Sequence, residues 1–292
     1  MKDLIMKAEI LIEALPYIRN FFGRTFVIKY GGAAQVRDDL KESFAKDIVM
    51  LNFIGIRTAI VHGGGPKISA TMEKMGKKPE FFQGQRVTDS ETMDIVEMVL
   101  GGLVNKEIVS LINSHGGRAV GLSGKDGGLI KAKKKTVKKS PQGGVDEIVD
   151  LGLVGEVTDV SPGILTCLEK DGFVPVISPI GEGPKGATMN INADYVAASV
   201  ASSLKAEKLI LLTDVPGILD KNKKVISTLK KQKIQKLIKN GTIAGGMLPK
   251  VQACLAAIEG GVTKTHIVDG RVPHCLLLEI FTKKGIGTEI QK

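Results

Sequence analysis

The sequence predicts an α/β protein, a three-layer αβα sandwich with an open, mainly parallel sheet. Two observations lead to this fold class. Short apolar runs such as TFVIKY (residues 25–30), TAIV (58–61) and LILLT (209–213) have the composition of buried strands. Segments with apolar residues at helical spacing, such as residues 38–54 and 66–75, lie between such runs. Strands that alternate with helices predict parallel βαβ units and a sheet covered on both faces.

Glycine-rich turns follow two of the predicted strands. FVIKYGG (residues 26–32) places Lys29 near the end of a strand and two glycines after Tyr30. HGGG (62–65) follows the next strand, and Pro66 is well suited to open the helix behind it. Because open α/β sheets bind ligands at the carboxyl ends of their strands, a site is expected at these turns.

The remaining elements are predicted from local patterns. Thr88 and Glu91 have the spacing of a capping box that opens a helix reaching about Gly101, and a second helix covers residues 106–114. Lysine-rich hairpins with a turn at SPQGG (140–144) decorate the sheet over residues 129–160. Ser161 and Pro162 cap a further helix. Residues 181–192 form a loop that leads into a helix over 193–204.

The first 23 residues are predicted to form a separate helix, ahead of a single domain over residues 24–292. Leu4, Leu11, Leu15 and Ile18 lie on one face of that helix. The helix either folds back on its own domain or is an arm that docks on another subunit.

Composition limits the class of protein. The chain has no run of about 18 apolar residues and no secretory signal, so we expect no membrane segment and a cytoplasmic location. Cys167, Cys254 and Cys275 form no CxxC pair and are interpreted as buried small hydrophobes. The formal net charge of +10 is compatible with nucleic-acid binding, but the chain has no tryptophan and no basic stripe with interleaved aromatics. We therefore expect no nucleic-acid partner.

The common nucleotide-binding motifs are absent. Gly181, Gly183 and Gly186 have the dinucleotide spacing, but Pro184 and an extended segment follow where that motif requires a helix. Lys125 follows Gly124 but lacks the rest of a Walker motif. If the protein binds ATP, it does so on another fold.

Charged residues near helix starts indicate an anion site. Lys250 lies beside Pro249 in the first turn of a helix, where the helix dipole disfavours a cation unless an anion binds there too. Asp194 has a similar position and is suited to orient two lysines, although a plain dipole-compensating role is open. Asn190 and Asn192 alternate with Ile191, so they project together and could hydrogen-bond a polar ligand, although each alone is typical of a loop.

The sequence contains no constellation that supplies a strong general base, and its four histidines are scattered. No cluster of metal-ligating residues is predicted either. Phosphoryl transfer to an anionic nucleophile needs no base, only positioning and charge stabilisation by lysines, backbone amides and the Mg²⁺ that accompanies ATP. The residues therefore favour phosphoryl transfer.

Seven motifs occur in the order of the amino-acid kinase family, which the chain resembles over nearly its whole length. They are KYGG, IVHGGGP, QRVTD, GLSGKDGG, MNINADYVA, LLTDVPGIL and GGMLPK. The resemblance is closest to members that phosphorylate N-acetyl-L-glutamate with ATP and Mg²⁺ in arginine biosynthesis. It implies an amino-acid lobe over residues 24–180 and an ATP lobe over residues 181–292.

The resemblance also implies residue roles. The transition-state lysines correspond to Lys29 and Lys250, their organising aspartate to Asp194, and the glycines at the transferring phosphoryl group to Gly32 and Gly64. Implied substrate-binding residues are Gly64, Gly65, Arg86, Asn190 and Asn192. The implied ATP-binding residues lie in the turn over residues 213–219, at Thr213, Asp214, Gly217 and Leu219.

The resemblance extends to arginine-inhibited members, in which an N-terminal helix interlaces dimers into a hexamer. It implies arginine contacts from Tyr17, Lys208, His274, Glu279 and Gly287. Two alternatives stay open from the sequence. One is a sister kinase acting on glutamate, aspartate, carbamate or UMP, and the other is a non-catalytic arginine-sensing scaffold.

Overall fold

The structure is a computed structural model that describes residues 1–139 and 147–292. The predicted turn at SPQGG lies outside the described residues. The strands of the described residues are β1 (Thr25–Tyr30), β2 (Arg57–His62), β3 (Phe81–Phe82), β4 (Gln85–Arg86), β5 (Ala119–Ser123), β6 (Ile130–Lys134), β7 (Val137–Lys139), β8 (Glu147–Val149), β9 (Val154–Val160), β10 (Val174–Ser178), β11 (Ile180–Glu182), β12 (Thr188–Ile191), β13 (Lys208–Thr213), β14 (Thr228–Lys230), β15 (Lys264–Asp269) and β16 (Thr288–Gln291).

Helices connect most of these strands. They are α1 (Lys2–Phe21), α2 (Asp38–Phe53), α3 (Gly65–Lys74), α4 (Ser90–Glu97), α5 (Asn105–Ser114), α6 (Gly163–Lys170), α7 (Ala193–Ser203), α8 (Lys231–Lys239), α9 (Met247–Glu259) and α10 (Cys275–Ile280). A π-helix, Met98–Val104, joins α4 to α5.

Eight strands form the main sheet, in the order β14-β16-β15-β13-β1-β2-β10-β5. Only the β15–β16 pair is antiparallel, and the other neighbours are parallel. The chain leaves β1 toward β2 on one side and later returns to its other side as β13. Because connections diverge beside β1, a crevice is expected at the carboxyl ends of β1 and β13.

Alternate residues of β1 supply two separate cores. Phe26, Ile28 and Tyr30 face a cluster that includes α2 and α5, whereas Val27 belongs to the cluster that includes α7 and α9. Both faces are buried because the side chains of a strand alternate across the sheet. The predicted three-layer α/β fold is confirmed.

Residues 181–192 form an antiparallel hairpin and not the loop that we predicted. Strands β11 and β12 pair with each other and join β6 and β9 in a small closed barrel. The prediction was wrong because the glycines and Pro184 obscure a short strand whose pairing partners are distant in sequence. The same hairpin excludes a dinucleotide-type helix after Gly186.

The helix that follows QRVTD (residues 85–89) begins one residue later than predicted. Asp89 caps it, because its carboxylate accepts the backbone N–H of Thr92 at 2.8 Å. The hydroxyl of Thr88 donates to the carbonyl oxygen of Arg86 at 2.9 Å. The helix also does not end at Gly101, since the π-helix continues it into α5.

The predicted side-chain cap of α6 does not form. The residue at the N-cap position is Pro162, and no side-chain cap bond is made there.

Helix α1 projects its apolar residues outward. Leu4 is 63% exposed and Leu11 is 67% exposed, whereas Phe21 at its other end is buried against Phe26. The alternative in which this helix folds back on its own domain is therefore wrong for its first three turns.

Two smaller observations complete the fold. Cys254 and Cys275 are buried as predicted, but Cys167 is exposed on α6 and is not a core residue. Within the described residues, no helix has both the length and the apolar composition that a membrane crossing requires.

Candidate active site

Two lysines and one buried aspartate form the centre of the site. Lys29 lies on the same face of β1 as Val27, so its side chain points toward the start of α7, where Asp194 lies. The Nζ atom of Lys29 is 3.2 Å from one carboxylate oxygen of Asp194, and Nζ of Lys250 donates to the other at 2.9 Å. The three side chains meet at the carboxyl end of β1, as the sequence predicted.

The charges of this centre are strongly coupled. Burial raises the pKa of Asp194, but the positive charges of Lys29 and Lys250 outweigh it and hold that pKa below its ordinary value. Asp194 is therefore ionised at neutral pH, and one negative charge lies between two positive ones. The remaining positive charge can accept an anion.

The two glycine turns lie side by side. The N–H of Gly63 donates to the carbonyl oxygen of Tyr30 at 2.8 Å, which joins the turn after β2 to the turn after β1. A Cβ atom on Gly31 would come within 2.5 Å of the Lys29 ammonium, so a side chain at that position would displace the end of the lysine. Helix α3 begins in this turn, at Gly65, without a side-chain cap bond, and a helix N-terminus of this kind favours a bound anion.

A cavity of about 220 Å³ lies between the second glycine turn and Ala193, the residue before Asp194. All five of the predicted substrate-binding residues line it: Gly64, Gly65, Arg86, Asn190 and Asn192. Asn192 also caps α7, because its side-chain oxygen accepts the backbone N–H of Asp194 at 2.9 Å.

Arg86 is held rigidly at the wall of this cavity. Its guanidinium donates to the carbonyl oxygen of Gly65 at 3.0 Å and to the hydroxyl of Ser69 at 2.8 Å, and it stacks over the ring of Phe81 at 4.7 Å. A fixed guanidinium of this kind suits recognition of a carboxylate.

Thr88 is a site residue that the sequence analysis missed. It is fully buried, and its hydroxyl accepts a hydrogen bond from Asn190 at 3.2 Å while it donates to the Arg86 carbonyl. One threonine therefore links the two polar walls of the cavity. Thr88 lies in the QRVTD motif, but we interpreted it as a helix cap and therefore did not predict its hydrogen bond with Asn190.

The predicted ATP turn begins at the end of β13, next to β1. A Cβ atom on Gly32 would overlap the carboxylate of Asp214, so these two predicted residues are neighbours. The hydroxyl of Thr213 accepts the N–H of Val215 at 3.2 Å, and Thr288 accepts the N–H of Ile218 at 2.8 Å, which ties the turn to β16.

Two of the predicted arginine-contacting residues, Lys208 and Glu279, contact a histidine that we did not predict, and a third, Gly287, contacts Glu279. His266 lies between Lys208, whose Nζ is 3.0 Å from Nε2, and Glu279, whose carboxylate is 2.7 Å from Nδ1. The other carboxylate oxygen of Glu279 accepts the backbone N–H of Gly287 at 3.0 Å. Burial lowers the pKa of His266, which fits a neutral ring that donates to Glu279 and accepts from Lys208. The alternation of β15 places His266 there, but nothing local marks it.

The other two predicted residues of this group contact different partners. Tyr17 packs edge-on against Phe281 with ring centroids 6.3 Å apart. His274 bonds through Nδ1 to Asp47 of α2 at 2.6 Å. Burial raises the pKa of Asp47 to about 6.

The fold and the site together define the class of this protein. The chain belongs to the Amino acid kinase family, whose sequence profile matches residues 24–269. It is 57% identical to the acetylglutamate kinase of Sulfurihydrogenibium sp. (strain YO3AOP1) over 297 aligned positions, which cover 99% of each chain. It is 58% identical to the acetylglutamate kinase of Geotalea uraniireducens (strain Rf4), again over 99% of each chain.

Solved structures agree with this assignment of the fold. The N-acetylglutamate synthase of Neisseria gonorrhoeae, in complex with coenzyme A and N-acetyl-glutamate, superposes with a TM-score of 0.83 at 29% identity. The match covers 98% of this chain but 63% of the synthase, so the chain spans less than two thirds of that protein. The carbamate kinase of Giardia lamblia bound to AMP-PNP superposes with a TM-score of 0.64 at 17% identity, a likeness of fold alone.

Proposed function

We propose that this chain phosphorylates the γ-carboxylate of N-acetyl-L-glutamate with ATP, as a step of arginine biosynthesis. A carboxylate oxygen attacks the γ-phosphorus of ATP, the bond from that phosphorus to the β,γ-bridging oxygen breaks, and the products are an acyl phosphate and ADP. The observation that carries the proposal is the Lys29–Asp194–Lys250 centre beside a cavity with a fixed arginine. The full-length likeness to acetylglutamate kinases supports the acceptor.

The lysines stabilise charge and Asp194 keeps them in place. Lys29 and Lys250 neutralise the negative charge on the transferring group and on the leaving oxygen, which is where electrostatic stabilisation lowers the barrier most. Asp194 sets the separation of the two ammonium groups because each binds a different oxygen of its carboxylate. The backbone amides of Gly32 and Gly64 contact the phosphoryl group. The nucleophile is already an anion, so no general base is required.

The cavity binds the acceptor. Arg86 pairs with the α-carboxylate, and Gly65, Asn190 and Asn192 hydrogen-bond the rest of the molecule. Because the guanidinium is already immobilised by Gly65 and Ser69, little side-chain entropy is lost when it binds a carboxylate.

The second substrate is ATP with its Mg²⁺. The net positive lysine centre and the uncapped N-terminus of α3 fit a polyphosphate. The residues assigned to the nucleotide are Thr213, Asp214, Gly217 and Leu219. We retain residues 24–180 as the acceptor lobe and residues 181–292 as the ATP lobe, with the hairpin of β11 and β12 packed on the acceptor side. The expected compartment is the cytoplasm.

We further propose that arginine inhibits the enzyme and that α1 interlaces subunits into a hexamer. The proposed effector residues are Tyr17, Lys208, His274, Glu279 and Gly287. Support comes from the cluster of Lys208 and Glu279 around His266, and from Lys208, whose Nζ lies 5.3 Å from the ring centroid of Phe21 in α1. A ligand at this cluster would contact the base of the exposed helix.

One assay tests the activity. ADP release is measured with ATP, Mg²⁺ and each of N-acetyl-L-glutamate, glutamate, aspartate, carbamate and UMP, with and without arginine. We expect turnover with N-acetyl-L-glutamate and its reduction by arginine. Turnover with another acceptor alone would assign a sister kinase, and no turnover with any of them would favour the sensing scaffold.

A further inference from the structure

The carbonyl oxygen of Gly63, in the middle of the second glycine turn, faces two side-chain donors. Nδ1 of His62 lies 2.8 Å from it, and Nε2 of Gln35 lies 3.3 Å from it. Nε2 of Gln35 also donates to the carbonyl oxygen of Tyr30 at 3.2 Å. Since both neighbours of the Gln35 amide are acceptors, its nitrogen and not its oxygen must face them.

His62 is itself fixed in the form that donates. It is fully buried, and burial lowers its pKa to about 4, so the ring is neutral at physiological pH. The side-chain nitrogen of Asn105 lies 3.2 Å from Nε2 and 2.9 Å from the carbonyl oxygen of Val176. Because the amide nitrogen donates to Nε2, the ring proton must lie on Nδ1, which faces Gly63.

These donors control an amide that lies on the other side of the turn. The carbonyl of Gly63 and the N–H of Gly64 belong to one planar trans peptide unit, so they point in opposite directions. Glycine residues on both sides of that unit allow it to rotate unless it is held. Because the Gly63 carbonyl faces Gln35 and His62, the Gly64 N–H points away from both side chains.

We propose that Gln35 and His62 are positioning residues that hold the Gly63–Gly64 peptide so that the Gly64 N–H faces the transferring phosphoryl group. The inference rests on the proposed phosphoryl transfer. Gln35 has a second effect, because its bonds to Tyr30 and Gly63 keep the two glycine turns at a fixed separation. Neither side chain lines the acceptor cavity.

Substitutions at Gln35 provide the sharper test, because this side chain is only partly buried and can change without a core cavity. Gln35→Met keeps the length of the side chain but donates nothing, and Gln35→Glu places acceptors against two carbonyls. We expect kcat with N-acetyl-L-glutamate to fall by about 10-fold or more in both, since a misdirected amide costs transition-state stabilisation. The KM for N-acetyl-L-glutamate should change by less than about threefold, because the ground state uses other contacts.

A second pair of variants tests His62. His62→Asn places an amide nitrogen near the position of Nδ1 and can keep the bond to Gly63, whereas His62→Leu cannot. The asparagine variant should therefore retain several times more kcat than the leucine variant. Gln232→Met, on the exposed surface of α8, is the matched control and should behave as the unaltered protein does. Melting temperatures establish that each variant is folded.

The results distinguish a failure of the positioning role from a failure of the proposed phosphoryl transfer. Unaltered kcat in folded Gln35→Met and Gln35→Glu overturns the positioning role while the phosphoryl transfer stands. A loss of kcat that merely follows a lowered melting temperature, with equal losses in His62→Asn and His62→Leu, also overturns it. If the unaltered protein releases no ADP with N-acetyl-L-glutamate, the proposed function and this inference fall together.

Discussion

At the scale of single residues, the site depends on Asp194, whose pKa is lowered by the two neighbouring lysines. Asp194 is almost fully buried, and such burial alone favours the neutral acid. Two ammonium groups within 3.2 Å reverse that preference. The arrangement leaves one positive charge uncompensated, because two cations share one counter-ion.

Removal of one cation should affect turnover more than binding. Lys250→Met keeps most of the stem of the side chain but removes the charge. We expect kcat to fall by about 100-fold or more, as for loss of a transition-state charge contact, while the KM for N-acetyl-L-glutamate changes little. Steady-state kinetics measure both constants. A raised KM with unaltered kcat would contradict the role, and exposed Lys239→Met is the control.

At the scale of elements, the π-helix shapes the glycine turn. π-helical segments are rare and occur mostly at functional sites. Here the segment Met98–Val104 carries Leu100 against Gly64 and leads directly to Asn105, which supports His62. The π-helix therefore packs against the second glycine turn, and α4 and α5 continue on either side of it.

This contact predicts a coupling between two positions. A Cβ atom on Gly64 would lie 2.5 Å from Cδ2 of Leu100 and 3.3 Å from Cγ2 of Val104. Gly64→Ala should therefore cost about 1–3 kcal/mol of unfolding free energy through overpacking. In Leu100→Ala the space is vacated, so the added cost of Gly64→Ala should fall by about 1 kcal/mol.

Denaturant unfolding of the four proteins of this cycle measures the coupling. Gly101→Ala is the matched control, because nothing lies within 4 Å of a Cβ atom at that position. Strict additivity of the two substitutions would show that Leu100 is not what restricts Gly64.

At the scale of the whole molecule, α1 is an element whose apolar side chains the single chain leaves exposed. Exposed apolar residues along its first three turns include Leu4, Ile5, Leu11 and Ile12, each more than half exposed. An exposed apolar stripe of this length is characteristic of an interface. Its other end is anchored through Phe21, near Lys208 and the cluster around His266.

Deletion of residues 1–15 should reduce the size of the assembly without unfolding the domain. The deletion removes the exposed turns but keeps Tyr17 and Phe21, which pack on the core. Size-exclusion chromatography with light scattering should show a smaller particle, and ADP release should persist. Leu11→Glu is expected to act in the same direction, whereas Glu13→Gln on the same exposed helix should not. An unaltered particle size after deletion would contradict the proposed arm.

The sequence by itself determined the alternation of strands and helices, the glycine turns and the charged residues at helix starts, because each depends on short-range spacing. Lys29, Lys250 and Asp194 were identifiable for this reason. The tertiary structure decided what depends on pairing between distant segments. It placed β11 and β12 in a barrel. It paired the hydroxyl of Thr88 with Asn190, whereas Asp89 caps α4. It also placed His266 between Lys208 and Glu279. Buried polar groups must find partners, and those partners are chosen by the register of the sheet, which no local pattern records.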